Sequence, residues 1–274
     1  MSGQLGFTLI EAIMVIVITG IIAGMVAVFI RAPVEAYVDT ARRAAITDVA
    51  DTAARRIARD LQGALPNSVR VDGAGQFLEF VPIRNAGRYR AEIGTAPADN
   101  PLDFTNAADN SFDVLGPPVT VLAGDSVVVY NLGIPVASSA YDTAPLTSRR
   151  VAIPGVGNTV TFTATANPLP FSSPGSRFQI VGTPVSYVCD LGTGTLWRYS
   201  GYPFQFAQPA LLATLNGFAG VTRAVLATNV TAPCNFSYGP GPLQLNGLVS
   251  TSLTITQSGE SVTLQNQINV DNVP

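Results

Sequence analysis

Residues 7–30 read FTLIEAIMVIVITGIIAGMVAVFI, an apolar run broken by a single charge, Glu11. As a helix rising 1.5 Å per residue it spans about 36 Å, enough to cross a hydrocarbon core with some tilt. The carboxylate is the anomaly. An ionisable group within hydrocarbon costs roughly 2.5–3.5 kcal/mol on insertion scales and therefore needs a partner. A plain membrane anchor does not supply one. A secretory signal peptide fits poorly too, because it has a basic start, a shorter apolar core and a small-residue cleavage site after that core. Here the first residues, MSGQLG, carry no Lys or Arg, and the glycine precedes the apolar run. A cut between Gly6 and Phe7 would place a new α-amine close to Glu11. In a bundle of such helices, one chain's amine would then meet its neighbour's carboxylate at the same depth.

After Pro33 the pattern turns amphipathic. Val34, Val38, Ala41, Ala45, Val49, Ala53, Ile57 and Leu61 recur every three or four residues and predict a stripe packed on whatever follows. Asp39 is spaced to pair with Arg42 or Arg43, and Asp51 with Arg55, on a solvated face. Gly63 and Pro66 end the helix. From 7 to 62 it would be about 84 Å long. Gly20 and Gly24 have the G-x-x-x-G spacing that lets helices approach closely, and the alternative is that they merely lower local helix stability.

Beyond residue 66 the chain reads as short strands and long loops. Val-, Thr- and aromatic-rich segments fall at 69–71, 76–81, 126–132, 159–164, 177–181, 185–189 and 195–199, bounded by Gly, Pro, Asn or Asp. The runs LVSTSLTITQ and ESVTLQNQINV alternate. Val249, Thr251, Leu253 and Ile255 share one face, Val262, Leu264, Asn266, Ile268 and Val270 another, and Ser258-Gly259 joins the two as a hairpin. By length, the ~210 residues after the helix could form one domain or one with a large excursion, and no repeat or second boundary stands out. The expected fold is α+β, a lollipop whose long helix packs on an antiparallel β-sheet head. The expected segments are 1–6 (leader), 7–30 (transmembrane), 31–65 (amphipathic helix half) and 66–274 (head).

Composition narrows the chemistry. The chain has no histidine and no lysine, and all 15 basic residues are arginine. That removes the commonest general base and metal ligand, a Ser-His-Asp triad, and any Schiff-base or P-loop lysine. With a net charge of −3 there is no global basic field to favour nucleic acid. GAGQ and GTGT read as turns, since neither is followed by a Lys-Ser/Thr pair. The expectation is a protein that is not an enzyme and has no cofactor. Cys189 and Cys234 suggest a disulfide in an oxidising compartment, against the alternative of two buried thiols. Asp99, Asp103, Asp109 and Asp113 form an oxygen-rich stretch that makes weak calcium candidates, but their spacing is not that of an EF-hand, and a solvated loop is the plainer reading. Trp197, Tyr199, Tyr202, Phe204 and Phe206 are either core or a sugar-binding platform, with core the plainer choice.

G|FTLIE followed by an apolar helix resembles the class III signal of type IV pilins and type II secretion pseudopilins. The resemblance implies cleavage after Gly6 by a prepilin peptidase, N-methylation of Phe7, and docking of Glu11 on a neighbouring subunit. The uncharged leader departs from the family, which usually has Lys or Arg there. VSYVCDLGTGTLWRYSGY, with Tyr187, Leu196 and Arg198, resembles an element of larger minor pilins and J-type minor pseudopilins. Together with ARRIARDLQGALPNSVRV and VPIRNAGRYRAEI it is most similar to minor pilins of the mannose-sensitive haemagglutinin (MSHA) pilus. The implied function is a minor pilin incorporated in, or priming, a filament. The alternatives are a J-type minor pseudopilin or a tip adhesin. The implied partners are other pilin subunits, prepilin peptidase, an inner-membrane assembly platform and membrane lipid, with no nucleic acid. The implied location is the inner membrane, single-pass with the head in the periplasm, and then the pilus.

Overall fold

The computed structural model describes residues 7–95, 98–142, 147–240 and 246–274. Its first element, α1 (Leu9–Gln62), runs unbroken through Pro33 and ends at Gly63, whose N–H bonds to the Asp60 carbonyl at 3.3 Å. Gly63's own carbonyl accepts the Ile83 N–H at 2.9 Å, so the helix exit is tied to the strand that starts there. Two halves of α1 differ sharply. Of the described side chains from 9 to 45, only that of Arg42 is even half-buried. From Ile46 onward one face is closed: Ile46, Ala50, Ala53, Ala54, Ile57 and Leu61 lie in the core.

The predicted stripe was therefore right at Ala53, Ile57 and Leu61 and wrong above them. Val34, Val38, Ala41, Ala45 and Val49 are exposed. The reason is helical geometry. Successive four-residue steps each over-rotate by about 40°, so a stripe followed upward from Leu61 in fours has left the core face by Val49. The real stripe inserts a three-residue step, 50 to 53, and stays in phase.

Two sheets hold this half of α1. After the helix come β1 (Arg70–Val71) and β2 (Phe77–Phe80). A long excursion follows, comprising β3 (Ile83–Arg88), β4 (Ser111–Asp113), β5 (Val119–Val121), β6 (Ser126–Val128), β7 (Arg149–Val151), β8 (Gly155–Gly157), β9 (Thr159–Thr161) and β10 (Arg177–Val181). The chain then returns with β11 (Val185–Asp190) and β12 (Thr195–Ser200), passes a short helix α2 (Leu212–Gly217), and adds β13 (Thr222–Thr228). The first sheet has the order β1-β2-β11-β12-β13, every pair antiparallel. The second is the meander of β14 (Val230–Pro240), β15 (Asn246–Gln257) and β16 (Glu260–Asp271). The principal core joins α1 to Leu78, Phe80 and Tyr187 of the first sheet and Val249, Leu253 and Ile268 of the second. Cys189 on β11 and Cys234 on β14 form a disulfide that staples the two sheets across a sequence separation of 45. Closing a loop of that size is worth about 4 kcal/mol in the chain-entropy account.

The last hairpin follows its sequence pattern. Val249, Thr251, Leu253 and Ile255 are buried, and the turn lies at Ser258-Gly259, both with positive φ (51° and 86°). The excursion is what the sequence conceals. β2 and β11 are neighbours, with Phe80 opposite Val185, so residues 83–181 form a lobe inserted between two adjacent strands. The lobe carries β3-β10-β6-β7 and the pairs β4-β9 and β5-β8 around a core of its own, with Phe112, Phe178 and Ile180 at its centre. Gly87 belongs to that packing, because a Cβ there would lie 2.9 Å from the Phe178 ring. The lobe is fastened back to the helix exit by reciprocal bonds. Asn67 Nδ2 donates to the Asn131 carbonyl at 2.9 Å, and Asn131 Nδ2 donates to the Pro66 carbonyl at 2.7 Å. The result is the expected α+β lollipop: a long apolar helix followed by antiparallel sheets.

Candidate functional site

At the start of α1, Thr8 is the N-cap and Glu11 is the third helical residue. Thr8 donates its backbone N–H (3.3 Å) and its hydroxyl (3.2 Å) to Glu11 Oε2, while the Glu11 N–H donates to Thr8 Oγ1 at 3.4 Å. This reciprocal pair is a capping box, which satisfies two donors that a helix start otherwise leaves bare. The T-x-x-E spacing at 8–11 was the signal for it in the sequence. Both acceptances fall on Oε2, and among the described residues Oε1 has no hydrogen-bond partner. Phe7, the implied methylation site, is 79% exposed beside this carboxylate. Gly6, the other half of the implied cleavage bond, lies outside the described residues.

The helix that follows is bare. Ile10, Ile16, Phe29 and Ile30 are exposed, as are Val34, Tyr37 and Val38 past the apolar run. A Cβ added at Gly20 or Gly24 meets no atom within 4 Å. Neither glycine has a packing reason within one chain, and each leaves a flat spot on the helix surface.

At the other end of α1, Asp60 gathers the residues singled out in the VSYVCDLGTGTLWRYSGY segment. Its Oδ2 accepts from the Tyr187 hydroxyl at 2.8 Å and from Arg198 Nε at 2.9 Å, and its Oδ1 meets Arg56 Nε at 3.1 Å. Burial, followed by the Asp60 charge, pushes the Tyr187 phenol above its ordinary range, so it stays a donor. Leu196 is buried beneath them. The segment thus latches the helix to β11 and β12. A second buried network lies on the sheet. Glu79, fully enclosed, pairs with Arg70 and accepts from the Tyr202 hydroxyl at 2.8 Å, and Tyr202 contacts Ser186 Oγ at 2.7 Å. Burial raises the Glu79 carboxyl above its ordinary value against the opposing pull of Arg70. The Arg70 guanidinium stacks 3.6 Å above the Tyr141 ring and also donates to the Phe206 and Gln205 carbonyls. Three of its five N–H donors are thus engaged within the fold.

The four aspartates considered for calcium are not gathered around one point. Asp99 and Asp113 both pair with Arg90, at 3.2 and 3.3 Å. Asp103 accepts the Thr105 N–H at 2.7 Å, and Asp109 accepts the Asp103 N–H at 2.7 Å, as turn-forming residues do. Hydrogen bonds from Thr105 hold the Asp103 carboxyl below its usual range. Among the described residues no group of three metal-ligating side chains converges. The aromatic segment divides. Tyr199 and Tyr202 are buried, Trp197 lies under Arg223, Phe204 lies under Arg149, and Phe206 is exposed.

The site is thus a bare apolar helix, capped by its own glutamate and carrying a β-rich head. Residues 1–27 match the family model described as the prokaryotic N-terminal methylation motif. The chain therefore carries a type IV prepilin-like signal, which in general implies dealings with a prepilin peptidase and with pilin subunits, and its apolar helix fits membrane anchoring. No curated protein and no solved structure matches the chain.

Proposed function

We propose that this protein is a minor subunit of a type IV filament of the MSHA kind, similar to the minor pilin MshO. It is made as an inner-membrane precursor with its head in the periplasm. Prepilin peptidase cuts between Gly6 and Phe7 and methylates Phe7, and the chain then leaves the bilayer for the filament or primes its assembly. The role is non-catalytic. The observation that carries the reading is Glu11, which caps its own helix through Oε2 and keeps Oε1 for the α-amine of an adjacent subunit. The size of the head supports a minor position, since the inserted lobe adds bulk that is hard to repeat at every short rise of a fibre. A J-type minor pseudopilin of type II secretion is the second reading. The Tyr187–Arg198–Asp60 latch favours it equally, because the resemblance of that segment extends to both. The tip-adhesin reading is the third, with Phe206 exposed but Tyr199 and Tyr202 buried in the core.

Expression of Glu11→Ala in cells that make the filament tests the assignment. The variant should be cleaved like the wild type yet be depleted from sheared filaments in immunoblots. Equal incorporation of both forms would refute the docking role.

A further inference from the structure

β13 is the last strand of the five-stranded sheet. It hydrogen-bonds to β12 along one side, and among the described residues no strand pairs with its other side. An unpaired edge is a template for another chain unless it is blocked. This one contains no lysine or proline, and five of its seven residues are exposed. Its face toward α1 opens instead into a groove of about 540 Å³, floored by Ala53, Ala224, Val225 and Leu226 and walled by Arg55, Arg56, Arg59 and Arg198. Three carboxylates answer those four guanidiniums: Asp51 holds Arg55 at 2.7 Å with the Asp48 charge nearby, and Asp60 is shared by Arg56 and Arg198. Arg59 has no ion-pair or hydrogen-bond partner among the described residues. The groove is thus locally cationic on a chain whose net charge is −3.

We propose that this groove receives an extended acidic segment of another polypeptide, which adds a strand to β13 and sets its carboxylates against Arg55 and Arg59. The chemistry selects the occupant. A strand edge presents alternating N–H and C=O groups that another peptide backbone matches, whereas a nucleic-acid backbone has no N–H to offer. Anionic lipid is out of reach, since Arg55 lies about 38 Å along the helix beyond residue 30. A second copy of this chain is a poor donor. Its acidic stretch is engaged at home, with Asp99 and Asp113 on Arg90 and Asp109 on the Asp103 backbone. The pairing rule supplies affinity through the backbone, and the arginines supply sign selectivity.

The test uses the full chain in detergent micelles and a short fluorescent peptide alternating glutamate with valine, followed by anisotropy. Saturable binding is expected. It should weaken with added salt, fall about tenfold or more in an R55E/R59E variant, and vanish when alternate peptide amides are N-methylated. Both arginines are solvent-facing, and a melting curve checks that the variant is folded. The N-methylated peptide tests the wild-type chain, so the proposal stands or falls even if the variant fails to fold. Absence of saturable binding would overturn the proposal, as would binding indifferent to N-methylation. Self-association that R55E/R59E abolishes and the peptide cannot displace would assign the edge to a second copy and overturn it equally.

Discussion

Residues 9–45 and 46–62 are one uninterrupted helix, yet different physics governs them. The upper part touches almost nothing in its own chain, while the lower part is locked between two sheets. In the lower part each side chain is explained by its neighbours: Ala50 and Ala53 are small because sheets press on them, and Asp60 is charged because Tyr187 and Arg198 meet it. In the upper part such explanations are few: Glu11 forms a capping box with Thr8, and Arg43 pairs with Glu260 of β16 at 3.2 Å. In the proposed role its apolar residues and paired glycines meet lipid first and neighbouring helices afterwards. A helix that is hydrophobic all round is a buried helix, and here what buries it lies outside the chain.

That contrast is sharpest for one isosteric pair. Ile57→Ala should destabilise the head by about 3 kcal/mol, through the lost transfer energy and the cavity left against both sheets. Ile16→Ala should leave the stability of the detergent-solubilised chain unchanged to within about 0.5 kcal/mol. Thermal unfolding of both variants measures the difference, and a comparable loss in the two would erase the distinction.

Gly24→Leu separates stability from assembly. Within one chain there is room for the side chain, and helix propensity improves by up to about 1 kcal/mol. The isolated protein should therefore be as stable or more so, while its share of sheared filaments falls because the flat helix surface is gone. A variant that assembles normally would remove the glycines from the account.

The smallest effect belongs to the lower region. Burial raises the Glu79 carboxyl, so the folded chain holds this proton more tightly than the unfolded one. Between the ordinary carboxylate pKa and the raised value, stability should fall as pH rises. Above that window the cost of the ionised form is fully present, and below it the cost is absent. In Glu79→Gln this segment of the pH profile should flatten, as read by melting temperature against pH.

What could be read from the sequence follows the same division. The apolar run 7–30 was legible as a helix, because composition alone decides such a run and nothing in the chain overrides it. The lower stripe was legible only near Gly63, where the stop signal anchors the phase, and was lost above Ala53 as four-residue steps drifted. β15 and β16 were legible because they are half-buried and alternate. β14 was not, since Pro233 interrupts it at a register shift between Thr231 and Cys234. The inserted lobe left no mark, because both of its junctions fall within continuous strand-like runs, at Val81-Pro82-Ile83 and Val181 to Val185, rather than in a linker. The latch was half visible. Tyr187 and Arg198 were singled out by resemblance, but Asp60, 127 residues before Tyr187, shares no local pattern with it. Glu11 was seen as a charge in need of a partner, and the T-x-x-E signature that gives it one within its own chain was passed over.

The most direct test is the intact mass of the wild-type chain recovered from membranes of cells that contain the peptidase. The account predicts a polypeptide that lacks residues 1–6, begins at Phe7 and carries one extra methyl group. A chain that still begins at Met1 would leave Glu11 without a neighbouring amine to meet and would contradict it.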